Sequence, residues 1–177
     1  MRKLKNEELG RLSVEEFKSA EKIPLIIVLD NVRSLNNVGS IFRTADAFRL
    51  QAVYLCGCTG VPPNKEIHKT ALGSTETVSW KYFKTTAEAL TDLKTSEFKI
   101  CAIEQAENSV SLSSVQFPAT EKLAFIFGNE VYGVEQEIVS ASNLCIEIPQ
   151  LGSKHSLNIS VSVGIVIWEI ARKFFKN

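Results

Sequence analysis

The chain has 177 residues, 45% of them hydrophobic, enough for one domain with a substantial core and too many for wholesale disorder. Twenty basic residues balance twenty acidic ones, so no global positive field marks a nucleic-acid binder. No apolar run reaches the ~20 residues of a membrane span, and the charged Met1–Gly10 stretch lacks a secretory apolar core, so a soluble, cytoplasmic protein is expected.

Residues 1–23 are polar and predict a short helix opened by the capping-box pattern Ser13-Val14-Glu15-Glu16. Pro24–Leu29 is a continuous apolar run rich in β-branched residues, which suits a strand buried on both faces. A polar loop from Asp30 to Asn37 leads to a helix over Gly39–Phe48, with Asn37 at its N-cap. Ala52–Cys56 is the next strand, Lys65–Leu72 a short helix ending at Gly73, Thr77–Tyr82 a strand and Thr86–Lys94 a surface helix. Phe98–Ile103 reads as a strand, followed by a polar connection that includes Leu112–Val115. Leu123–Phe127 is another buried strand, Glu135–Ser142 a helix, Cys145–Ile148 a strand and Leu157–Phe175 the closing helix. Alternating strands and helices imply an α/β fold, a mostly parallel sheet covered by helices on both faces.

Cysteine and histidine usage argues against a metal centre. Cys56-Gly57-Cys58 has the wrong spacing for a zinc knuckle, Cys101 and Cys145 stand alone, and His68 and His155 are the sole histidines. Reduced thiols and no metal are expected. Basic side chains gather locally, with Arg2, Lys3, Lys5 and Arg11 near the start and Lys65 and Lys69 on a helix.

Three segments carry chemistry. The first is Asn31–Asp46, which follows a buried strand and therefore lies at the C-terminal edge of the sheet, where open α/β folds place ligands. Its Arg43 stands among Ile41, Phe42 and Ala45. It either snorkels and pairs with Asp46, or aims into a site to hold phosphate or oxyanion charge. The second is Phe125–Val134, a buried strand running into Gly128 and Gly133 with Asn129 and Glu130 on the crest between them. Those glycines serve a turn or a close ligand approach. The dinucleotide Gly-x-Gly-x-x-Gly pattern and a Gly-Lys-Ser/Thr phosphate loop are both absent, which counts against a nucleotide-dependent oxidoreductase. The third is Ile146–Ser162, a short strand that bends at Pro149 and Gly152 and enters an apolar helix whose first turns carry Ser156, Asn158 and Ser160. One capping side chain suffices for a helix start.

Asn-x-Gly-x-x-x-Arg-Thr-Ala (Asn37 to Ala45), Gly-Asn-Glu-x-x-Gly (Gly128 to Gly133) and Ile-Pro-x-x-Gly-x-x-x-Ser-Leu-Asn-x-Ser-Val (Ile148 to Val161) together resemble the three ordered motifs of the SpoU family. These are S-adenosylmethionine-dependent RNA 2′-O-ribose methyltransferases of the SPOUT class. The resemblance runs from about Pro24 onward and makes 24–177 one methyltransferase domain after a short 1–23 extension. It implies a C-terminal α/β trefoil knot, which general topology rules disfavour. It further implies a site in the knot, shared across a homodimer interface.

The resemblance assigns catalysis to Arg43, Asn37, Glu130, Ser156 and Asn158, and cofactor binding to Phe127, Gly128, Asn129, Gly133, Ile148, Gln150, Gly152, Ser156 and Leu157, largely through backbone groups. Arg43 is expected to bind the phosphate beside the target ribose and stabilise alkoxide charge, since a guanidinium rarely gives up its proton. Asn37 is expected to orient substrate or Arg43, Glu130 to fix the second loop or pair with Arg43, and Ser156 and Asn158 to bond the arginine, ribose or cofactor. No separate RNA-binding domain is expected before Pro24. Transfer RNA is favoured as substrate over ribosomal RNA, and the alternative is a catalytically inactive knotted RNA-binding protein. The closing helix presents Ile159, Val163, Ile167 and Ile170 on one stripe and Val161, Ile165 and Trp168 on another, more apolar circumference than docking on one sheet requires. A homodimer would cover the second stripe.

Overall fold

In the computed structural model, which describes residues 1–175, seven strands hydrogen-bond into one sheet and every pairing is parallel. They are β1 (Ile23–Asp30), β2 (Leu50–Cys56), β3 (Trp80–Phe83), β4 (Lys99–Ile103), β5 (Val110–Ser111), β6 (Leu123–Phe127) and β7 (Leu144–Glu147). Their order across the sheet is β3-β2-β1-β6-β4-β7-β5. Phe127 pairs with Leu29 of β1 on one side and Ile103 of β4 on the other, and Ile103 pairs in turn with Ile146 of β7. Four strands therefore end level at one edge of the sheet.

The helices are α1 (Val14–Ser19), α2 (Leu35–Ala47), α3 (Lys65–Ala71), α4 (Ser74–Thr77), α5 (Thr86–Thr95), α6 (Gln136–Ala141) and α7 (Ile159–Ala171). Strand alternation sorts them onto two faces. Leu25, Ile27, Leu29, Phe125 and Phe127 share a core with Ile41 and Phe42 of α2, Ile67 of α3 and Val163 and Ile167 of α7. Ile26, Val28, Ala124 and Ile126 pack on the opposite face with Leu90 and Leu93 of α5 and Ile138 of α6. Burial of each such side chain stabilises by about 1.5–3 kcal/mol, which is why β1 and β6 are apolar on both faces.

Several boundaries differ from the sequence reading. Helix α2 starts earlier, because Ser34 rather than Asn37 caps it: the Ser34 hydroxyl accepts from the Asn37 N–H at 3.3 Å. Asn37 becomes the third helical residue, with its side chain free for tertiary bonds. Thr77 does not begin a strand. It closes the single turn α4, its hydroxyl bonded to the Asp46 carboxylate, and β3 starts only at Trp80. Helix α7 begins at Ile159, capped by Asn158, so Ser156 and Leu157 lie outside it; past Ala171 the chain tightens into a 3₁₀ turn, Arg172–Phe174. Two-residue β5 is too short for periodicity to mark. The Ser13–Glu16 capping box forms in both directions, at 3.2 and 2.8 Å, and opens α1 after a separate 3₁₀ turn at Asn6–Leu9.

Gly39 of the first motif has a packing reason. A Cβ there would fall 2.3 Å from the Ile67 carbonyl and 2.1 Å from the Thr70 hydroxyl. Its absence lets α3 press onto α2, where Thr70 donates to the Asn36 carbonyl at 3.0 Å. Cys56 and Cys101 are packing atoms in the core, and burial pushes both thiols up to about 12. No helix among the described residues is long and apolar enough to cross a membrane.

Candidate active site

At the edge where β4, β6 and β7 end, a cavity of about 530 Å³ opens, within the ~300–1,000 Å³ of small-molecule sites. Ile103 ends β4 and Phe127 ends β6. Ile148 and Gln150 follow β7, and Ser156 to Ile159 lead into α7; all of these line the cavity.

One wall is the loop between Gly128 and Gly133. Asn129 and Gly133 exchange backbone hydrogen bonds of 3.0 and 2.9 Å, and Gly133 takes φ +71°, a conformation that favours glycine. Gly128 is demanded by the same closure: its Cβ would lie 2.0 Å from the Gly133 carbonyl carbon. The glycine thus answers to backbone packing within the loop. Asn129 sits on the crest because its side chain braces the turn. Its Oδ1 accepts from the N–H groups of Val131 and Tyr132 at 2.9 and 3.3 Å, and its amide donates to the Asn31 carbonyl at 2.8 Å.

Glu130 reaches across to the N-terminus of α2. Its carboxylate accepts from the backbone N–H groups of Arg33 and Ser34 at 3.2 and 3.1 Å and from the Asn37 amide at 3.4 Å. Burial pushes its pKa up, but hydrogen bonds from its own N–H, Arg33, Ser34 and Asn37 outweigh this and hold it below the ordinary carboxyl value. The expected pairing of Glu130 with Arg43 is not formed: the helix N-terminus and its unpaired N–H groups take the carboxylate instead.

Asn37 passes the connection on. Its Oδ1 accepts from the Asn158 amide at 3.2 Å, while the Asn158 Oδ1 accepts from the Ser160 N–H at 2.9 Å and the Ser160 hydroxyl at 2.6 Å. One hydrogen-bonded chain, Glu130–Asn37–Asn158–Ser160, joins all three motif segments beside the cavity.

Of the proposed cofactor residues, Phe127, Gly128, Asn129, Gly133, Ile148, Gln150, Ser156 and Leu157 line the cavity. Gly152 does not, and a Cβ built on it meets nothing within 4 Å. Arg43 lies outside the lining as well. It is exposed on α2, and among the described residues no ion pair engages it, Asp46 included.

Two of the lining residues that sequence reasoning did not assign to the site bear on its geometry. Glu104 and Gln105 follow the last residue of β4 and tie down both loops. Glu104 Oε2 accepts from the Val134 N–H at 3.0 Å, and the Gln105 amide donates to the His155 carbonyl at 2.8 Å. The available signal was positional, since a strand predicted to end at Ile103 delivers its next two residues to the ligand-bearing edge.

The SpoU rRNA Methylase family model matches residues 24–168. The chain is 30% identical over 169 residues to a tRNA (guanosine(18)-2′-O)-methyltransferase of Thermus thermophilus, covering 96% of this chain and 85% of that protein. It is 35% identical over 150 residues to the 23S rRNA (guanosine-2′-O-)-methyltransferase RlmB of Nitrosomonas europaea, covering 84% of this chain and 56% of that protein. Among solved structures, the A. aeolicus TrmH/SpoU tRNA modifying enzyme superposes with a TM-score of 0.79 at 30% identity, over 90% of this chain and 80% of that one. An AdoMet-bound rRNA methyltransferase from Sinorhizobium meliloti gives a TM-score of 0.82 at 25% identity, over 90% and 61%. With three motifs laced together at the edge of a parallel sheet and a family match spanning most of its length, the chain belongs to the SpoU methylase family.

Proposed function

We propose that this protein transfers a methyl group from S-adenosylmethionine to a ribose 2′-hydroxyl in RNA. The observation that carries the reading is the Glu130–Asn37–Asn158 chain, which locks three sequence-distant motif segments around one cavity. The cavity fits the cofactor chemically: Ile103, Phe127, Ile148 and Leu157 offer apolar surface to a flat purine, and Gln105, Gln150 and Ser156 offer polar groups. When bound, S-adenosylmethionine supplies an electrophilic methyl group on a sulfonium.

The chain's own residues position and stabilise. Arg43 holds the phosphate beside the target ribose with its planar fork and offsets alkoxide charge as it develops. Asn37, Glu130 and Asn158 fix α2, and with it Arg43, relative to the cofactor loops. Ser156 hydrogen-bonds cofactor or ribose at the cavity wall.

Because Arg43 does not line its own cavity, this reading requires a homodimer in which the partner's copy completes the site. What supports the dimer is α7, whose buried stripe faces the sheet while Val161, Ile165 and Trp168 remain 50%, 37% and 54% exposed. Trp168 stacks edge-on to Phe48, just past the end of α2 (centroids 6.2 Å), so the uncovered apolar face adjoins the helix that carries Arg43. The reading also takes 24–177 as one catalytic unit threaded as the family's trefoil knot, working in the cytoplasm. Transfer RNA is the preferred substrate, because the two relatives named for tRNA match over 85% and 80% of their own lengths, against 56% and 61% for the two named for rRNA.

Incubation with methyl-labelled S-adenosylmethionine and separate pools of transfer and ribosomal RNA tests the reading, with alkaline hydrolysis locating any 2′-O-methylated ribose. Label at a hydrolysis-resistant position in transfer RNA is the expected result. RNA binding without any transfer would leave the non-catalytic alternative standing.

A further inference from the structure

Among the described residues, the lining of the cavity contains no lysine or arginine, and its carboxylates are Glu104 and Glu130. They are placed differently. Glu130 spends its oxygens on three donors at the N-terminus of α2, where the helix dipole offsets its charge. Glu104 has no such offset. Among the described residues its Oε1 accepts from the Gln105 N–H alone, at 2.8 Å, and its Oε2 from the Val134 N–H alone, at 3.0 Å, which leaves acceptor capacity on both oxygens. Its placement is enforced by neighbours. The Glu104 N–H bonds the Ile146 carbonyl at 3.1 Å, and a Cβ on Gly133 would fall 2.2 Å from Oε2. Any side chain at position 133 would drive the carboxylate away.

We propose that Glu104 is the residue by which the cavity distinguishes the cationic methyl donor from its neutral product; this rests on the cavity being the S-adenosylmethionine site. During transfer the C–S bond breaks with its electron pair left on sulfur, the ribose oxygen forms the new C–O bond, and the 2′-proton leaves to solvent. The sulfonium thereby becomes an uncharged thioether. A carboxylate in a partly water-excluded wall attracts the first and not the second. The attraction vanishes at turnover, which favours release of product over retention.

The test is calorimetric binding of S-adenosylmethionine, S-adenosylhomocysteine and sinefungin, whose amine replaces the methylsulfonium, to wild type and Glu104→Gln. The glutamine removes the charge and keeps an oxygen for the Val134 N–H, at the cost of the acceptor for the Gln105 N–H, a loss that acts on all three ligands alike. Both cationic ligands should weaken by about five-fold or more while S-adenosylhomocysteine changes by less than about two-fold. Equal losses for all three ligands, or no loss for any, would overturn the proposal and leave Glu104 as a brace for the loop. Wild-type titrations at rising salt give a second measure that requires no variant. Screening should narrow the preference for the donor over the product, and a ratio that does not move counts against the proposal. Failure of the wild type to bind any of the three would sink the cofactor reading itself, a separately visible outcome.

Discussion

The side-chain amide of Asn158 donates a hydrogen bond to Oδ1 of Asn37 at 3.2 Å, across 121 positions of sequence. Asn158 also caps α7 through its Oδ1, and Asn37 also donates to Glu130. Two helix starts and one loop are therefore set against each other by two asparagines, and the placement of α2 fixes where Arg43 emerges.

Asn158→Ala should remove both the cap and the link, at a cost of about 0.5–2 kcal/mol in urea denaturation. Asn158→Ser keeps a capping oxygen but cannot span to Asn37. The serine variant should thus recover most of the stability and little of the methyl transfer. Equal recovery of both would show that the asparagine serves only as a cap.

Arg43 is exposed and makes no ion pair among the described residues, so Arg43→Ala should unfold at the wild-type denaturant midpoint. Methyl transfer should fall on the order of 100-fold or more, with cofactor affinity within about two-fold of wild type. Arg43→Lys should rescue little, because a point charge does not reproduce the guanidinium fork. Full turnover by either variant would remove Arg43 from the mechanism.

Glu130 predicts a pH dependence of stability. Its pKa is lower folded than unfolded, so the unfolded state takes up the proton more readily. The contribution is present above the ordinary carboxyl range and is lost as pH falls through the depressed folded value. Denaturation midpoints measured from neutral pH down to about pH 3 should drop less steeply for Glu130→Gln than for wild type. Identical slopes would mean that the bonds to Arg33, Ser34 and Asn37 do not discriminate the charged form.

Two glycines of the motifs should respond in opposite ways. Gly128→Ala places a Cβ against the Gly133 backbone and should destabilise by about 1–3 kcal/mol or more, so cofactor binding is lost through the loop rather than by direct contact. Gly152→Ala meets nothing within 4 Å, and its stability should stay within about 0.5 kcal/mol of wild type. Thermal melts of both, with and without S-adenosylmethionine, separate the two effects.

Ile165→Glu puts a charge on the uncovered stripe of α7 and should convert a dimer into a monomer by light scattering, with transfer lost. Complementation tests the shared site more directly. Arg43→Ala mixed with an inactive cavity variant should recover about a quarter of wild-type activity, since half the dimers are hybrids with one intact site. A mixture that stays inactive while hybrids form would place the whole site within one protomer.

The sequence determined the layers of this protein and the edge that bears the site. Pro24–Leu29 and Leu123–Phe127 read as doubly buried strands because burial on both faces leaves a continuous apolar run, and the structure pairs these two strands at the centre of the sheet. Periodicity is set by burial, so it survives in the string of residues. It placed the cap of α2 at Asn37, because serine and asparagine both suit a helix start and only the fold gives the cap to Ser34 and commits Asn37 elsewhere. It could not give strand order, and strand order decides every polar meeting in the site. Glu130 finds two backbone N–H groups rather than Arg43 because β6 lies beside β1, and Glu104 reaches Val134 because β4 lies on the other side of β6. Hydrogen bonds between distant segments leave no local pattern, so tertiary structure alone could assemble them.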